Sequence, residues 1–166
     1  MPARRLAPPL ALLAALAALA ALALAAGCAP SLPKGVDPVA LEAAIDDAVG
    51  DPNTCVLIGQ AQTGRLVWRY GTHGVCGKVW PACNGTEART VEGLLKTAGR
   101  EGAEIWASCP SNADRSRTVA WAAGPVPGRA DLVFTAVMEG ASTPPGIVLG
   151  DKLRGALKRG GLSPAG

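Results

Sequence analysis

The sequence predicts an α+β domain, an antiparallel sheet of about five strands with its terminal helices packed on one face. Three observations predict it. Apolar residues at helical spacing recur at the two ends of the folding region and once in its middle. Between them lie short alternating segments rich in Val, Ile, Thr and Trp. Two of the links between strands are turns, Gln62-Thr63-Gly64 and Gly124-Pro125-Val126-Pro127-Gly128, which make antiparallel neighbours. The element order read off the chain is α-β-β-α-β-β-β-α, the layering of an α+β fold.

The folding region starts late. Arg4 and Arg5 precede a run from Leu10 to Ala26 made only of Ala and Leu, closed by Gly27 and Cys28. A charged start, an apolar middle and small residues at the end make a secretory signal. The stretch Leu24-Ala25-Ala26-Gly27-Cys28 resembles a bacterial lipoprotein signal, although the usual Leu three residues before the Cys is here Ala25. The resemblance implies cleavage before Cys28, acylation of its thiol (palmitate among the chains) and a lipid anchor in the cell envelope. Ala29, where Asp commonly marks inner-membrane retention, implies the outer membrane, facing the periplasm.

Residues 1–27 are thus read as signal, 28–36 as a lipidated tether with Pro30, Pro33 and Gly35, 37–160 as one domain and 161–166 as a tail. The chain of 166 residues carries a net charge of +3, and two of its cations leave with the signal. That near-balance argues against a nucleic-acid partner. Of five Cys, Cys28 is assigned to lipid, leaving Cys55, Cys76, Cys83 and Cys109. In an oxidising compartment four cysteines suit two disulfides, with three connectivities open. Cys76 with Cys83 closes the shortest loop, worth about 2.5 kcal/mol by chain entropy. Four buried thiols are the plainer alternative.

Asp37-Pro38 starts the first helix with a capping oxygen and a preset first turn. Leu41, Ala44, Ile45, Ala48 and Val49 form its stripe, and Gly50 ends it. Thr54 to Gln60 is a strand, Gln62-Thr63-Gly64 a turn, and Arg65 to Tyr70 the returning strand. Residues 71–85 read as irregular and hold the only His, His73, with Trp80. Thr86 to Ala98 reads as the middle helix, capped by Asn84 or Thr86. Strands follow at Ala103 to Ser108, Thr118 to Ala123 and Asp131 to Glu139, the last two joined through Gly124-Pro125-Val126-Pro127-Gly128. Pro144-Pro145-Gly146 opens the closing helix, with Leu149, Leu153, Ala156 and Leu157 inward and Gly160 as its stop.

Chemistry is sparse. A hydrolase triad has one candidate base, His73, in a Gly-rich loop. One His and no C-x-x-C exclude an ordinary zinc site, and no cofactor is implied. The glycines at 71, 74 and 77 lack the Lys-Ser/Thr of a phosphate loop. Glu101 and Glu104 are close in sequence but read as solvated. Asn84-Gly85-Thr86 is better read as a turn than as a glycosylation sequon. Ser-x-x-Lys occurs once, Ser31 to Lys34, inside the tether, where no helix holds the Lys beside the Ser. Lys96-Thr97-Ala98 is a weak echo of Lys-Thr-Gly and falls on a helix pattern.

Cys55-Val56-Leu57-Ile58, Thr63-Gly64-Arg65, Tyr70, Cys76 and Cys83 together resemble the opening of class D serine β-lactamases, and more loosely of penicillin-binding transpeptidase domains. Val119 to Gly124 and Leu132 to Val137 resemble that family's late strands. The resemblance implies an acyl-transfer fold whose nucleophilic Ser falls on Asn84 and whose Lys falls on Glu87. The strand that should carry Lys-Thr-Gly ends as Ser108-Cys109-Pro110, and the helical subdomain has no room between Ala98 and Ala103. The expectation is a degenerate, non-catalytic domain that binds a protein or cell-wall component from the membrane. One alternative is a remodelled acyl-transfer or hydrolytic enzyme using Ser108, Ser111 or Cys109 with Glu87 or Lys96. Another is a profilin- or roadblock-like binding module unrelated to β-lactamases. Trp68, Trp80, Trp106 and Trp121 read mostly as core; Trp80, in the loop, is the one of the four that could face a partner instead, burial being the plainer reading. A Cys83–Cys109 disulfide would staple the inherited cleft shut.

Overall fold

The computed structural model describes residues 31–102 and 104–163; Cys28 and the whole signal lie outside them. The helices are α1 (Pro38–Val49), α2 (His73–Cys76), α3 (Val91–Glu101) and α4 (Gly146–Arg159). The strands are β1 (Thr54–Gln60), β2 (Leu66–Tyr70), β3 (Trp80–Pro81), β4 (Ala88–Arg89), β5 (Ile105–Pro110), β6 (Thr118–Val126) and β7 (Arg129–Gly140). Five of them form an antiparallel sheet in the order β2-β1-β7-β6-β5, and β3 pairs with β4 alone. The predicted α+β class is the observed one.

The sheet is covered on both faces, so its central strands carry nearly unbroken apolar runs. Leu41, Ile45 and Val49 of α1 and Leu149, Leu153 and Leu157 of α4 pack on Val56, Ile58, Ala122 and Phe134. The terminal helices thus share one face, as expected. Val91, Leu94, Leu95 and Ala98 of α3 cover Cys55, Leu57, Trp121 and Val137 on the other. Asp37 caps α1 by accepting from the Val39 N–H at 2.9 Å. The apolar side of the structure begins before α1 and ends after α4: Leu32 and Val36 of the tether lean on the core, and Leu162 of the tail is 1 % exposed within it. Apolar residues outside 37–160 thus still find core surface.

Several boundaries move for identifiable reasons. The middle helix starts at Val91, not Thr86, and its cap is Thr90, whose Oγ1 accepts from the Gly93 N–H. Residues 80–89 instead turn about Asn84-Gly85 as a small hairpin, closed by Ala82 N–H donating to the Glu87 carbonyl. The irregular 71–85 stretch contains α2, capped by Thr72. β6 and β7 run on to a two-residue turn at Pro127-Gly128, with Gly128 at φ 70°, so residues 124–126 are strand and not link. β5 lies at 105–110, two residues later than expected.

Close approach explains why α4 opens on Gly146. A Cβ there would stand 2.5 Å from the carbonyl oxygens of both Ala107 and Trp121, which are backbone atoms and cannot yield. At the other end of the sheet, Gly64 has φ +66° and lies against the backbone of Lys96, fastening the β1–β2 turn to α3.

The chain's only tyrosine, Tyr70, donates its hydroxyl to Asp46 Oδ1 at 2.5 Å, tying β2 to α1. Burial, that hydrogen bond and the charges of Asp46, Glu42 and Asp51 push its phenol well above the ordinary value of 10.0. The folded state therefore holds the proton more tightly than the unfolded chain. Stability from this group is complete below pH 10 and is lost as pH rises through the folded value. An absorbance titration should show no phenolate until strongly alkaline pH, and Asp46→Asn should bring the midpoint down. Ionisation at the ordinary value in the native protein would contradict the contact.

Candidate functional site

The sequence placed its candidates around residues 76–111, and the structure brings most of them together beside the edge strand β5. The four cysteines form two bonds, Cys55–Cys76 and Cys83–Cys109. The short Cys76–Cys83 loop does not form. Cys76 ends α2 and faces the underside of β1, where Cys55 and Leu57 lie, whereas Cys83 sits in the hairpin over β5. Sequence distance was a poor guide because α2 turns Cys76 inward before the chain reaches Cys83.

The hairpin 80–89 lies on the α3 face of the sheet, across β5 and β6. Its seat is Trp121, fully buried on β6, whose indole N–H donates to the Pro81 carbonyl at 2.8 Å. Arg89 stands over the Trp121 ring at 5.9 Å. Cys83–Cys109 then ties the hairpin tip to β5 covalently. Beyond Cys109, Ser111 donates to Glu139 Oε1 at 2.7 Å, and Arg117 grips the same carboxylate with two bonds of 2.7 Å. These three contacts fold the β5–β6 loop against β7.

Glu139 is 3 % exposed, yet the Arg117 hydrogen bonds hold its carboxyl below the usual glutamate value of 4.5, against the opposing effect of burial. Because the folded pKa is depressed, its contribution to stability is complete above pH 4.5 and is lost as pH falls through the folded value. Thermal melts should show this acid-side loss, and Arg117→Met should flatten or invert it, since burial then favours the protonated acid. An unchanged acid limb in Arg117→Met would refute the assignment.

Asn84 and Glu87 lie in the hairpin, not on a helix. Asn84 Nδ2 donates to Glu87 Oε2 at 3.2 Å across the turn. They therefore do not take the one-turn helical spacing that a Ser-x-x-Lys pair needs. The first turn of α3, where such a pair would belong, reads Val91, Glu92, Gly93 and Leu94. Ser108 turns to the opposite face, where its Oγ accepts from the Gly146 N–H at 2.7 Å and serves as the cap that Pro145 cannot give α4. Cys109 is in its disulfide. His73 is far from all of these; its ring nitrogens lie 2.7 and 2.8 Å from the Arg69 guanidinium. Glu104 is paired with Arg154, while Lys96, midway along α3, lies against the β1–β2 turn at Gly64. No group of three or more His, Cys, Asp or Glu suited to a metal occurs among the described residues.

A groove of 460 Å³ does open on the outer side of the hairpin, lined by Val79, Trp80, Pro81 and residues 85–88. Val79 is 62 % exposed there, and Trp80 is half-buried with Lys78 Nζ 5.4 Å from its ring centre. The Trp80 indole N–H has no hydrogen-bond partner among the described residues. The short β3–β4 hairpin that shapes this groove was not visible in the sequence, although Asn84-Gly85 is the turn signal that marks it. No protein-family model matches this chain, and no curated protein matches it.

Proposed function

We propose that this chain is a lipid-anchored protein of the cell envelope whose α+β domain binds a protein or cell-wall component and performs no acyl transfer. The carrying observation is the Cys83–Cys109 bond, which fixes the 80–89 hairpin over the edge strand where a transpeptidase-like cleft would open. Each side chain available to a remodelled enzyme has another employment: Cys109 in the bond, Ser108 on α4, Ser111 on Glu139. A nucleophile needs a free base within hydrogen-bond reach: Ser108 and Cys109 have none, and the Glu139 carboxylate that Ser111 reaches is held by two Arg117 hydrogen bonds that lower its basicity. The terminal helices on one face and the single helix on the other suit a profilin- or roadblock-like binding module as well as a degenerate β-lactamase. Both readings share the same non-catalytic conclusion.

Binding would use the groove beside Val79 and Trp80, where the exposed Val79 and the half-buried Trp80 ring form an apolar shoulder. The test is labelling with a fluorescent penicillin and a fluorophosphonate, together with nitrocefin turnover. The reading expects neither label nor turnover. Labelling abolished by a single substitution at Ser108, Ser111 or Cys109 would replace it with the enzyme reading.

A further inference from the structure

We infer that the cationic groove between the β1–β2 turn and α3 rests on the headgroups of an anionic lipid surface and so sets how the domain stands on its membrane. The inference builds on the lipid anchor proposed above. The groove has a volume of 410 Å³ and is lined by Arg65, Lys96 and Arg100, with Leu66, Leu95 and the Thr63-Gly64 turn between them. Glu92 is the one acid in its wall. None of the three cations is among the salt bridges of the described residues, whereas the nearby acids Glu104 and Asp131 are paired with Arg154 and Arg129. Leu66 is 40 % exposed, which puts an apolar side chain beside the charges.

Chain geometry puts the membrane at this end. Ser31 and Pro33 line a cleft with residues 60–63 and 129–132, and Thr63 belongs to both clefts. Cys28 is three residues from Ser31, a reach of at most about 11 Å. An acylated Cys28 therefore keeps the lipid surface within about 11 Å of Ser31, which shares a cleft with the β1–β2 turn. The last turn of α4 adds Lys158, while Arg159 pairs with Asp47 at 3.8 Å; Gly160 packs on Leu41 just after the tether. Glu101 remains as an unpaired acid at this end. Farther along α1 and just after it, Asp46 and Asp51 line a cleft with Tyr70 in which Arg69 is the one cation, a net negative charge that an anionic surface repels. Lys and Arg near such a surface each strengthen attachment about fivefold, through attraction that fades within a Debye length.

The full chain, isolated from membranes, can be placed in vesicles of phosphatidylcholine alone or with phosphatidylglycerol, and the rate of lysine acetylation read by mass spectrometry. Lys96 should react on the order of tenfold more slowly in the anionic vesicles. Lys78, at the other end of the sheet, should not change. Arg65→Gln with Arg100→Gln should restore the Lys96 rate, Glu92→Gln should slow it further, and high salt should erase the difference. Equal Lys96 rates in both vesicles would overturn the inference. Equal slowing by inorganic phosphate without lipid would also overturn it, making the groove a small-anion site. Flotation with neutral vesicles reads the anchor separately: a chain that does not float has lost the anchor reading, whatever Lys96 does.

Discussion

Replacing Cys55 and Cys76 together by Ala should destabilise the domain by about 3.4 kcal/mol from released chain entropy alone. The bond spans 21 positions, and its partners are 0 and 2 % exposed between β1 and α2. Lost packing adds to the entropy, because the alanines leave space under α3 that no neighbour fills. The Cys83–Cys109 bond spans 26 positions and predicts about 3.6 kcal/mol on the same basis. Its environment differs, since both of its cysteines are only half-buried and the hairpin retains its Trp121 seat. Urea unfolding of the two double variants should therefore rank Cys55→Ala/Cys76→Ala as the more damaging. Loss of Cys83–Cys109 should free the 80–89 hairpin locally while the five-stranded sheet stays intact. The reverse ranking would mean that the hairpin, and not the α2 segment, is part of the domain's cooperative core.

Trp121→Ala should cost about 3–5 kcal/mol, the range for deleting a large buried aromatic side chain. Trp121 is the largest fully buried side chain and touches three things at once: the apolar face of α3, the Arg89 guanidinium and the Pro81 carbonyl. Truncation opens a cavity and leaves that carbonyl without its donor. Trp121→Phe separates the two effects, keeping most of the volume and removing the N–H. It should cost about 1–3 kcal/mol, the value of leaving a buried acceptor unpaired. Hydrogen exchange in Trp121→Phe should accelerate at residues 80–89 before it does so in β1 or β7. Uniform acceleration through the sheet would show that the hairpin is not independently seated.

The main elements were legible because their periods are clean. Leu41, Ile45 and Val49 repeat at helical spacing, and Cys55 to Ile58 alternate between two faces that are both buried. The terminal helices could be placed together because each has one stripe and nothing else remains to cover it. Residues 71–90 were not legible in the same way. A four-residue helix and two two-residue strands carry too little periodicity to be read, and what orders them is distant: Trp121 on β6, Cys55 on β1 and Cys109 on β5. The cysteine pairing was hidden for the same reason, as loop length says nothing about which strand a cysteine reaches: all four lie on the α3 face, Cys76 against β1 and Cys83 against β5. Asn84 and Glu87 were singled out by the resemblance, and a helix start was read beside them by extending the α3 pattern backwards past Thr90, the residue that caps it. The basic groove was also invisible, because Arg65 and the pair Lys96 and Arg100 meet only when Gly64 docks on α3.

One measurement decides whether this domain is a lipid-held binder that forms no acyl-enzyme. The intact mass of the protein extracted from bacterial membranes, after exposure to excess benzylpenicillin, reads both parts in one spectrum. The expected species begins at residue 28, carries acyl-chain mass on that cysteine and shows no penicilloyl addition. A chain starting elsewhere without acyl mass, or one bearing a penicilloyl group on a mature side chain, would contradict it.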